Sequence, residues 1–489
     1  MIKIQVNNEM FAYDMYHISK AFYPGVKIEQ KVDKTSEYAV EINIDETGMN
    51  IHGQELLQME DRKLKKRYVN HKIYKWLSQK TSKELAWGIM TGVRPTKPMM
   101  NLIESGMSDD KVINWMQENY CVTDEKAHLG LKVAKKEKEL LEQLDYKDGY
   151  SLYIGIPFCP TTCSYCSFTS YPISEWKQHV DAYLDAVCKE LTFIAKQSKN
   201  KKLNTIYVGG GTPTTLGPEQ LDRLLTHLEI NFSYNDLKEI TVEAGRPDSI
   251  TREKLEVLKK HNIGRISINP QTMQQKTLDI IGRKHAVEDI RRVYAMAREI
   301  GFDNINMDLI AGLPGETVED MRDTLEQIKE MAPDSLTVHA LAMKRASRMT
   351  QEKKLAQETG GMKENDDAEI AYTLSKMIEL ASDYAKQMDL EPYYLYRQKN
   401  IAGNFENVGY AKVDKAGIYN ILIMEEKQSI IAVGAGASTK VVVPDEMVVI
   451  DQKTGNPKKI VRAENVRDIK QYISRIDEMI ERKGELLWH

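Results

Sequence analysis

Three of the chain's five cysteines fall within eight positions, in the run Cys159-Pro-Thr-Thr-Cys163-Ser-Tyr-Cys166. This C-x3-C-x2-C spacing constrains the fold more than any other stretch. Soft thiolates gathered on one short loop select zinc or an iron–sulfur cluster. A structural zinc site takes four protein ligands. No fourth candidate lies near: Cys121 and Cys188 are isolated, and His179 stands 13 residues past Cys166. Three thiolates suit three irons of a four-iron cubane and leave the fourth iron open to an outside ligand. A strand-like run, Ser151 to Ile156, leads into the loop.

Such a loop needs a scaffold, and 489 residues suffice for two to four domains at roughly 100–200 residues each. Hydrophobic and charged shares of 42% and 29% are those of an ordinary globular chain. A net charge of −4 provides no basic field for nucleic acid. No apolar run approaches the ~18 residues of a membrane span. The start, Met1-Ile-Lys-Ile-Gln-Val-Asn-Asn, reads as strand and turn rather than a signal peptide. The cysteine pattern does not look like a secreted disulfide framework. A cytoplasmic location is the expectation.

Hydrophobic periodicity divides the chain into three. Residues 1–148 are expected to form an α+β accessory domain. Ile2–Val6 and Tyr38–Ile44 alternate as strands, and a basic segment from Arg62 to Trp76 reads as an amphipathic helix. Helices are expected from Ser108 to Tyr120 and from Glu125 to Leu144. Residues 149–345 alternate strand and helix. The strands are Ser151–Ile156, Thr205–Val208, Glu239–Glu243, Arg265–Ile268, Asn304–Ile310 and Ser335–Ala340. The helices are Ser174–Ser198, Pro218–Ile230, Arg252–His261, Ala286–Ile300 and Val318–Met331. Apolar strands alternating with helices predict a covered parallel sheet. About 190 residues is short for a full eight-unit barrel of ~250. The prediction is an α/β fold with a partial (β/α)6 barrel; a doubly wound open sheet is the alternative. Residues 346–489 are expected to form an α+β region covering the substrate. It has a helix at Asp366–Met388, strands at Tyr393–Tyr396, Gly417–Met424 and Ser429–Val433, and a final helix from Asn465 to Leu487.

The chain resembles the radical S-adenosylmethionine (SAM) enzymes, whose signature is C-x3-C-x2-C after a first barrel strand. Further runs narrow the likeness: Tyr153-Ile-Gly-Ile-Pro-Phe-Cys159, Gly209-Gly-Gly-Thr-Pro213, Val242-Glu243-Ala, Arg265-Ile-Ser-Ile-Asn-Pro-Gln271, Gly282-Arg283-Lys-His285 and Asp308-Leu-Ile-Ala-Gly-Leu-Pro314. In that order they resemble the oxygen-independent coproporphyrinogen III oxidases and their relatives. The N-terminal part and Tyr393-Tyr-Leu-Tyr-Arg-Gln-Lys-Asn400 look most like the coproporphyrinogen dehydrogenase branch of clostridia and bacilli. The resemblance implies a [4Fe-4S] cluster on Cys159, Cys163 and Cys166, with SAM on the open iron. An electron from the cluster then cleaves SAM to methionine and a 5′-deoxyadenosyl radical.

Site roles carry over by position. The resemblance places Gly210, Gly211 and Thr212 against the methionyl amino group of SAM, and Glu243 on its ammonium. Gln271 falls on the ribose, Arg283 on the SAM carboxylate, and Asp308 and Ile310 on the adenosine. Tyr153, six residues before Cys159, would contact the cluster or a second ligand; Tyr153 and Glu243 are the catalytic candidates. Each has a plainer reading: a strand-end glutamate caps a helix, a strand isoleucine or tyrosine packs in the core, and a glycine turn merely joins strand to helix. Arg suits a carboxylate through its paired donors.

The activity implied is oxidative decarboxylation of two propionates of coproporphyrinogen III to give protoporphyrinogen IX in haem biosynthesis. A flavodoxin- or ferredoxin-like donor would supply electrons, and a monomer is expected. Arg94, Arg345, Arg397 and Lys399 are candidates for the substrate carboxylates. Departures open alternatives. Phe168 stands where the oxidases often carry a further cysteine, Gly155 where they often carry His, and Asn269-Pro270 where Gly-Val is usual. A haem chaperone and a haem-degrading radical SAM methyltransferase are the other readings within this likeness.

Overall fold

The computed structural model describes residues 1–166, 168–341, 366–398, 405–444, 446–450 and 457–488. The N-terminal part opens with a four-stranded sheet in the order Ile28–Val32, Ile2–Val6, Tyr38–Ile44, Thr47–His52. Ile2, Ile4 and Val6 point to the buried face, as their alternation requires. Phe11, Met15, Ile18 and Phe22 of the helix Glu9–Phe22 belong to the same core. The basic segment is a helix, Arg62–Thr81, adding Val69, Ile73 and Leu77 to that core. Part of its charge is paired: Lys66 with Asp14 at 2.8 Å and Lys72 with Glu55 at 3.0 Å.

All six predicted central strands form, as Gly149–Ile156, Lys202–Gly210, Glu239–Gly245, Arg265–Ile268, Ile305–Ala311 and Ser335–Ala340. Each lies parallel to its predecessor, so spatial order equals chain order. A doubly wound sheet reverses direction partway; this one does not, and the partial-barrel expectation holds. Ser429–Val433 adds a further parallel strand beside Gly149–Ile156. Antiparallel strands continue both sides: Glu406–Ala411 and Glu391–Arg397 beyond the sixth strand, Ser438–Val442 and Ile460–Glu464 beyond Ser429–Val433. Among the described residues no ladder joins the two edges, so the sheet is not closed. No helix among them is long and apolar enough to cross a membrane.

Three local expectations change. The predicted strand Gly417–Met424 is a helix, Ile418–Glu425. A short, β-branched apolar run does not declare its period. Its first turn is held by the third strand: the Glu239 carboxylate accepts from the Ile418 and Tyr419 backbone N–H groups, the orphan donors of a helix start. The predicted helix Ser174–Ser198 becomes a short turn at Ile173–Trp176 and then Val180–Gln197. The final helix breaks at Arg475 into Ile469–Ser474 and Ile476–Gly484.

The N-terminal segment docks on the C-terminal strands through buried polar contacts. Trp87 Nε1 donates to Glu406 at 2.8 Å, Lys126 pairs with Glu406 at 2.8 Å, and Arg397 Nη1 donates to the Met90 carbonyl at 2.7 Å. Near this seam Glu137 and Glu425 are both buried. Burial, and then each other's charge for Glu137, push both carboxyls above the ordinary range. A carboxyl with a raised folded-state pKa holds its proton more tightly folded than unfolded. Stability therefore falls as pH climbs from the ordinary carboxyl pKa through the raised one. Glu137→Gln is expected to stabilise the protein at pH 8 by ~0.5–2 kcal/mol, with a smaller gain at pH 5. Thermal unfolding at the two pH values checks this; an equal loss at both would show the carboxylate to be a useful partner.

Candidate functional site

The first strand delivers Cys159 to the C-terminal edge of the sheet, where sites of such folds gather. The cysteine loop is pinned at both ends. Phe158–Cys159 bridges to Tyr171–Pro172. Ser164 N donates to Ile281 O at 3.1 Å, and Thr161 Oγ1 to Gly282 O at 3.1 Å. The glycine turn after the second strand comes in closely. A Cβ on residue 211 would stand 2.7 Å from Phe158 O and 3.0 Å from Cys159 Sγ, so only glycine fits without displacement. Gly210 has φ +110°.

Polar donors converge on the sulfurs. Thr212 Oγ1 lies 3.5 Å from Cys159 Sγ, and Arg246 Nη1 lies 3.8 Å from Cys163 Sγ. The Arg283 guanidinium also faces Cys163. Burial, and then the neighbouring cysteines, push the Cys159 thiol up to about 11. Its thiolate forms readily only beside a metal, and ligation then releases the proton. Among the described residues no three His, Cys, Asp or Glu side chains converge on a single ion. Three sulfurs on one loop, attended by N–H and O–H donors, fit a multi-iron cluster.

Against the glycine turn packs an aromatic and acidic cluster. Glu243, on the third strand, accepts a hydrogen bond from Tyr207. Burial pushes its carboxyl up to about 7 and nearby Asp308 adds to the rise, against the pull of Tyr207 and the Gly210 N–H. Tyr153, Tyr207 and Tyr419 stack: the 207 and 419 rings are 4.4 Å apart at 19°, and Tyr153 lies 6.2 Å from Tyr207. Burial raises the Tyr153 hydroxyl well above its ordinary range. Asp308 accepts from Asn306 at 2.7 Å and stands 4.0 Å from His339.

Gln271 follows the fourth strand with φ +68°, unusual for a residue with a side chain. Its backbone bridges the fifth strand, donating to Asp308 O at 2.9 Å and accepting from Ile310 N at 3.0 Å. Ile310 is 6% exposed and belongs to the core cluster. Arg283 is buried; Nη1 donates to Asn269 O at 2.6 Å and Nη2 reaches Tyr165 Oη at 3.4 Å. Gly211, Thr212 and Arg283 thus sit with the cysteine loop, while Tyr153, Glu243 and Asp308 belong to the tyrosine–carboxylate cluster and Gly210 lies against Tyr153.

Of the candidate cations for a substrate carboxylate, the two described ones are engaged elsewhere. Arg94 is committed to Met424 O and Glu426, both at 2.7 Å, and Arg397 is buried at the N-terminal seam. Arg345 and Lys399 lie outside the described residues. Sequence reading missed Tyr207, Tyr419, Arg246 and His339, and gave no separate role to Tyr165 on the cysteine loop or to His285 in the Gly282–His285 run. Tyr419 was hidden by the strand assignment. Arg246 and His285 are charged or polar positions inside runs that otherwise read as turns. His285 is fully buried beside Asp248, at 4.0 Å, and burial with the Arg283 charge pushes its imidazole down to about 4.

Residues 153–328 match the family model of the radical SAM superfamily. Across 509 aligned residues, 99% of this chain and 97% of the relative, the chain is 37% identical to the oxygen-independent coproporphyrinogen-III oxidase-like protein HemZ of Bacillus subtilis. It is 38% identical to the heme chaperone HemW of the same organism over 192 residues, 39% of this chain and 50% of that one. The fold resembles that of coproporphyrinogen III oxidase (HemN) from Escherichia coli, a radical SAM enzyme. The TM-score is 0.52 at 23% identity, covering 70% of this chain and 73% of the other. At that identity the likeness concerns the fold alone.

Proposed function

Because the chain belongs to the radical SAM superfamily, within the family of oxygen-independent coproporphyrinogen-III oxidase-like proteins, we propose that it decarboxylates two propionates of coproporphyrinogen III to vinyl groups. The observation that carries this reading is the full-length likeness to an oxidase-like relative, combined with the cluster of Tyr153, Tyr207, Tyr419 and Glu243 beside the glycine turn that packs on Cys159. In this reading residues 1–148 are an accessory unit, 149–345 carry the radical chemistry and 346–489 cover the substrate.

The family's resident groups are a [4Fe-4S] cluster and SAM, which when bound supply one-electron chemistry able to remove hydrogen from an unactivated carbon. Cys159, Cys163 and Cys166 would hold the cluster. Thr212, Arg246 and Arg283 steady the sulfurs with directed donors. Glu243, poised near neutrality, gives up its proton to receive the ammonium of SAM. Gly210 and Gly211 leave room for the methionyl group, Arg283 receives its carboxylate, and Gln271, Asp308 and Ile310 line the nucleoside. The Tyr153–Tyr207–Tyr419 stack excludes water from the reacting carbon. Each propionate loses one β-hydrogen, carbon dioxide and one electron; the electron passes to an external acceptor. A flavodoxin- or ferredoxin-like protein is the proposed donor to a monomeric enzyme.

The likeness to a chaperone over the central segment, together with Phe168 on the cysteine loop, favours one second reading, a haem carrier. Anaerobic incubation of reconstituted protein with SAM, reductant, an electron acceptor and coproporphyrinogen III separates the two. Chromatography is expected to show protoporphyrinogen and 5′-deoxyadenosine. Stoichiometric haem binding with no propionate loss would select the carrier instead.

A further inference from the structure

Arg246 occupies a position that the proposed chemistry does not by itself require. The third strand ends at Gly245, which turns with φ +60°, and a short 3-10 turn begins at Pro247. The Arg246 side chain, only 4% exposed, is thereby aimed back under the cysteine loop. One edge of its guanidinium is spent on Asp248: Nε donates to Oδ1 at 3.0 Å and Nη2 to Oδ2 at 2.6 Å. The remaining nitrogen, Nη1, serves the loop. It donates to the Thr161 carbonyl and hydroxyl, both at 2.8 Å, and lies 3.8 Å from Cys163 Sγ. Thr161 Oγ1 in turn donates to Gly282 O, and Ser164 N to Ile281 O, so the loop is held on both sides of Cys163. Asp248 makes its other approach to the fully buried His285, at 4.0 Å.

A buried guanidinium is rigid when forked onto a carboxylate, and its charge is poorly screened. Here the fork decides where the third nitrogen sits: on Thr161, with its charge 3.8 Å from one sulfur. A donor at a cluster sulfur withdraws electron density and favours the reduced, more negative state; a nearby carboxylate does the reverse.

We propose that Arg246 and Asp248 form an opposed pair of positioning residues: Arg246 orients Cys163 and raises the reduction potential of the cluster it ligates, and Asp248 holds Arg246 in place and lowers that potential. This rests on the cluster reading of the three cysteines. Charge that reaches the cluster through one cysteine sets how much driving force an external donor must provide.

The test uses the full-length, anaerobically reconstituted protein. Iron and sulfide content are measured first, and then the midpoint potential is found by spectroscopically monitored redox titration. Arg246→Met is expected to hold the cluster at a more negative midpoint. Poised at the wild-type midpoint, its reduced-to-oxidised ratio should fall about tenfold, equivalent to ~59 mV for a one-electron couple. Asp248→Asn should move the midpoint the other way, and Arg246→Lys, which keeps the charge, should return it toward the wild type. Full iron with an unmoved midpoint in Arg246→Met overturns the proposal, as do shifts of the same sign in Arg246→Met and Asp248→Asn. Should Arg246→Met take up no iron, Asp248→Asn decides, and an unmoved midpoint there overturns the pair. A wild-type protein that takes up no iron and sulfide is a different result: it removes the cluster reading itself.

Discussion

Cys163→Ala is expected to abolish cluster assembly and SAM cleavage together. Cys163 has cationic surroundings, with Arg246 Nη1 at 3.8 Å and the Arg283 guanidinium also facing it. Removing the thiolate takes away a ligand and leaves two buried guanidinium groups turned toward an apolar methyl. Loss of an outer-shell partner typically costs ~10–100-fold in metal affinity or activity; loss of a ligand flanked by such partners costs more. The variant should therefore purify without the brown chromophore, hold little iron after reconstitution, and produce no 5′-deoxyadenosine. The fold should survive, because the loop is also anchored by Ser164 N to Ile281 O and by the Phe158–Cys159 bridge. Wild-type turnover in a cluster-free Cys163→Ala protein would remove the basis of the proposed function.

Glu243→Gln is expected to weaken SAM binding by roughly 10–150-fold, the equivalent of the ~1.5–3 kcal/mol of a hydrogen bond to a charged group. Its carboxyl titrates at about 7 because burial disfavours the charge and Asp308 repels it. An incoming ammonium restores the charged form. In the wild type, only the ionised fraction receives the ammonium without first losing a proton. Affinity should therefore fall as pH drops below 7, approaching a tenfold loss per unit. Glutamine carries no charge at any pH, so the variant should lose this slope as well as the affinity. It retains an acceptor for Tyr207, and the raised pKa means that the native state gains nothing from the carboxylate at pH 8. Unfolding temperature should therefore not drop. Equilibrium binding of SAM from pH 6 to pH 8 checks both effects. Unchanged affinity with the slope intact would place the ammonium elsewhere.

Much of the scaffold was legible because its signals are local. Six apolar runs separated by amphipathic helices predict a parallel sheet, and they appear with ends shifted by only a few residues, since period and flanking turns are properties of neighbouring residues. The cysteine spacing and the Gly209–Gly211 turn are local in the same way. What failed is informative. Gly417–Met424 reads as a strand because a short run with six apolar residues fits either period; it became the helix Ile418–Glu425 where Glu239, 179 positions away, accepts from its first N–H group. Arg94 reads either as a cation for a ligand or as an ordinary ion-pair residue, and its tie to Glu426, 332 positions on, decides for the second.

The sequence by itself determined that three thiolates would share one loop, that a glycine turn, a strand-end carboxylate and an arginine would follow in order, and that a parallel sheet would carry them. Covalent spacing and hydrophobic period settle those points, and neither depends on distant residues. That the sheet is singly wound was decided by the fold. Only the tertiary structure decided which groups face the sulfurs and which merely hold the molecule together. Arg246 meets Thr161 and Cys163 across 85 and 83 positions, and its fork on Asp248 has meaning only once both are buried beneath the loop. Partnership of this kind comes from packing: in a low-dielectric interior a charge must be satisfied, and what satisfies it is set by the fold. The C-x3-C-x2-C run specifies a metal site, and its burial against Arg246, Arg283 and Thr212 sets the electrostatic field in which that site works.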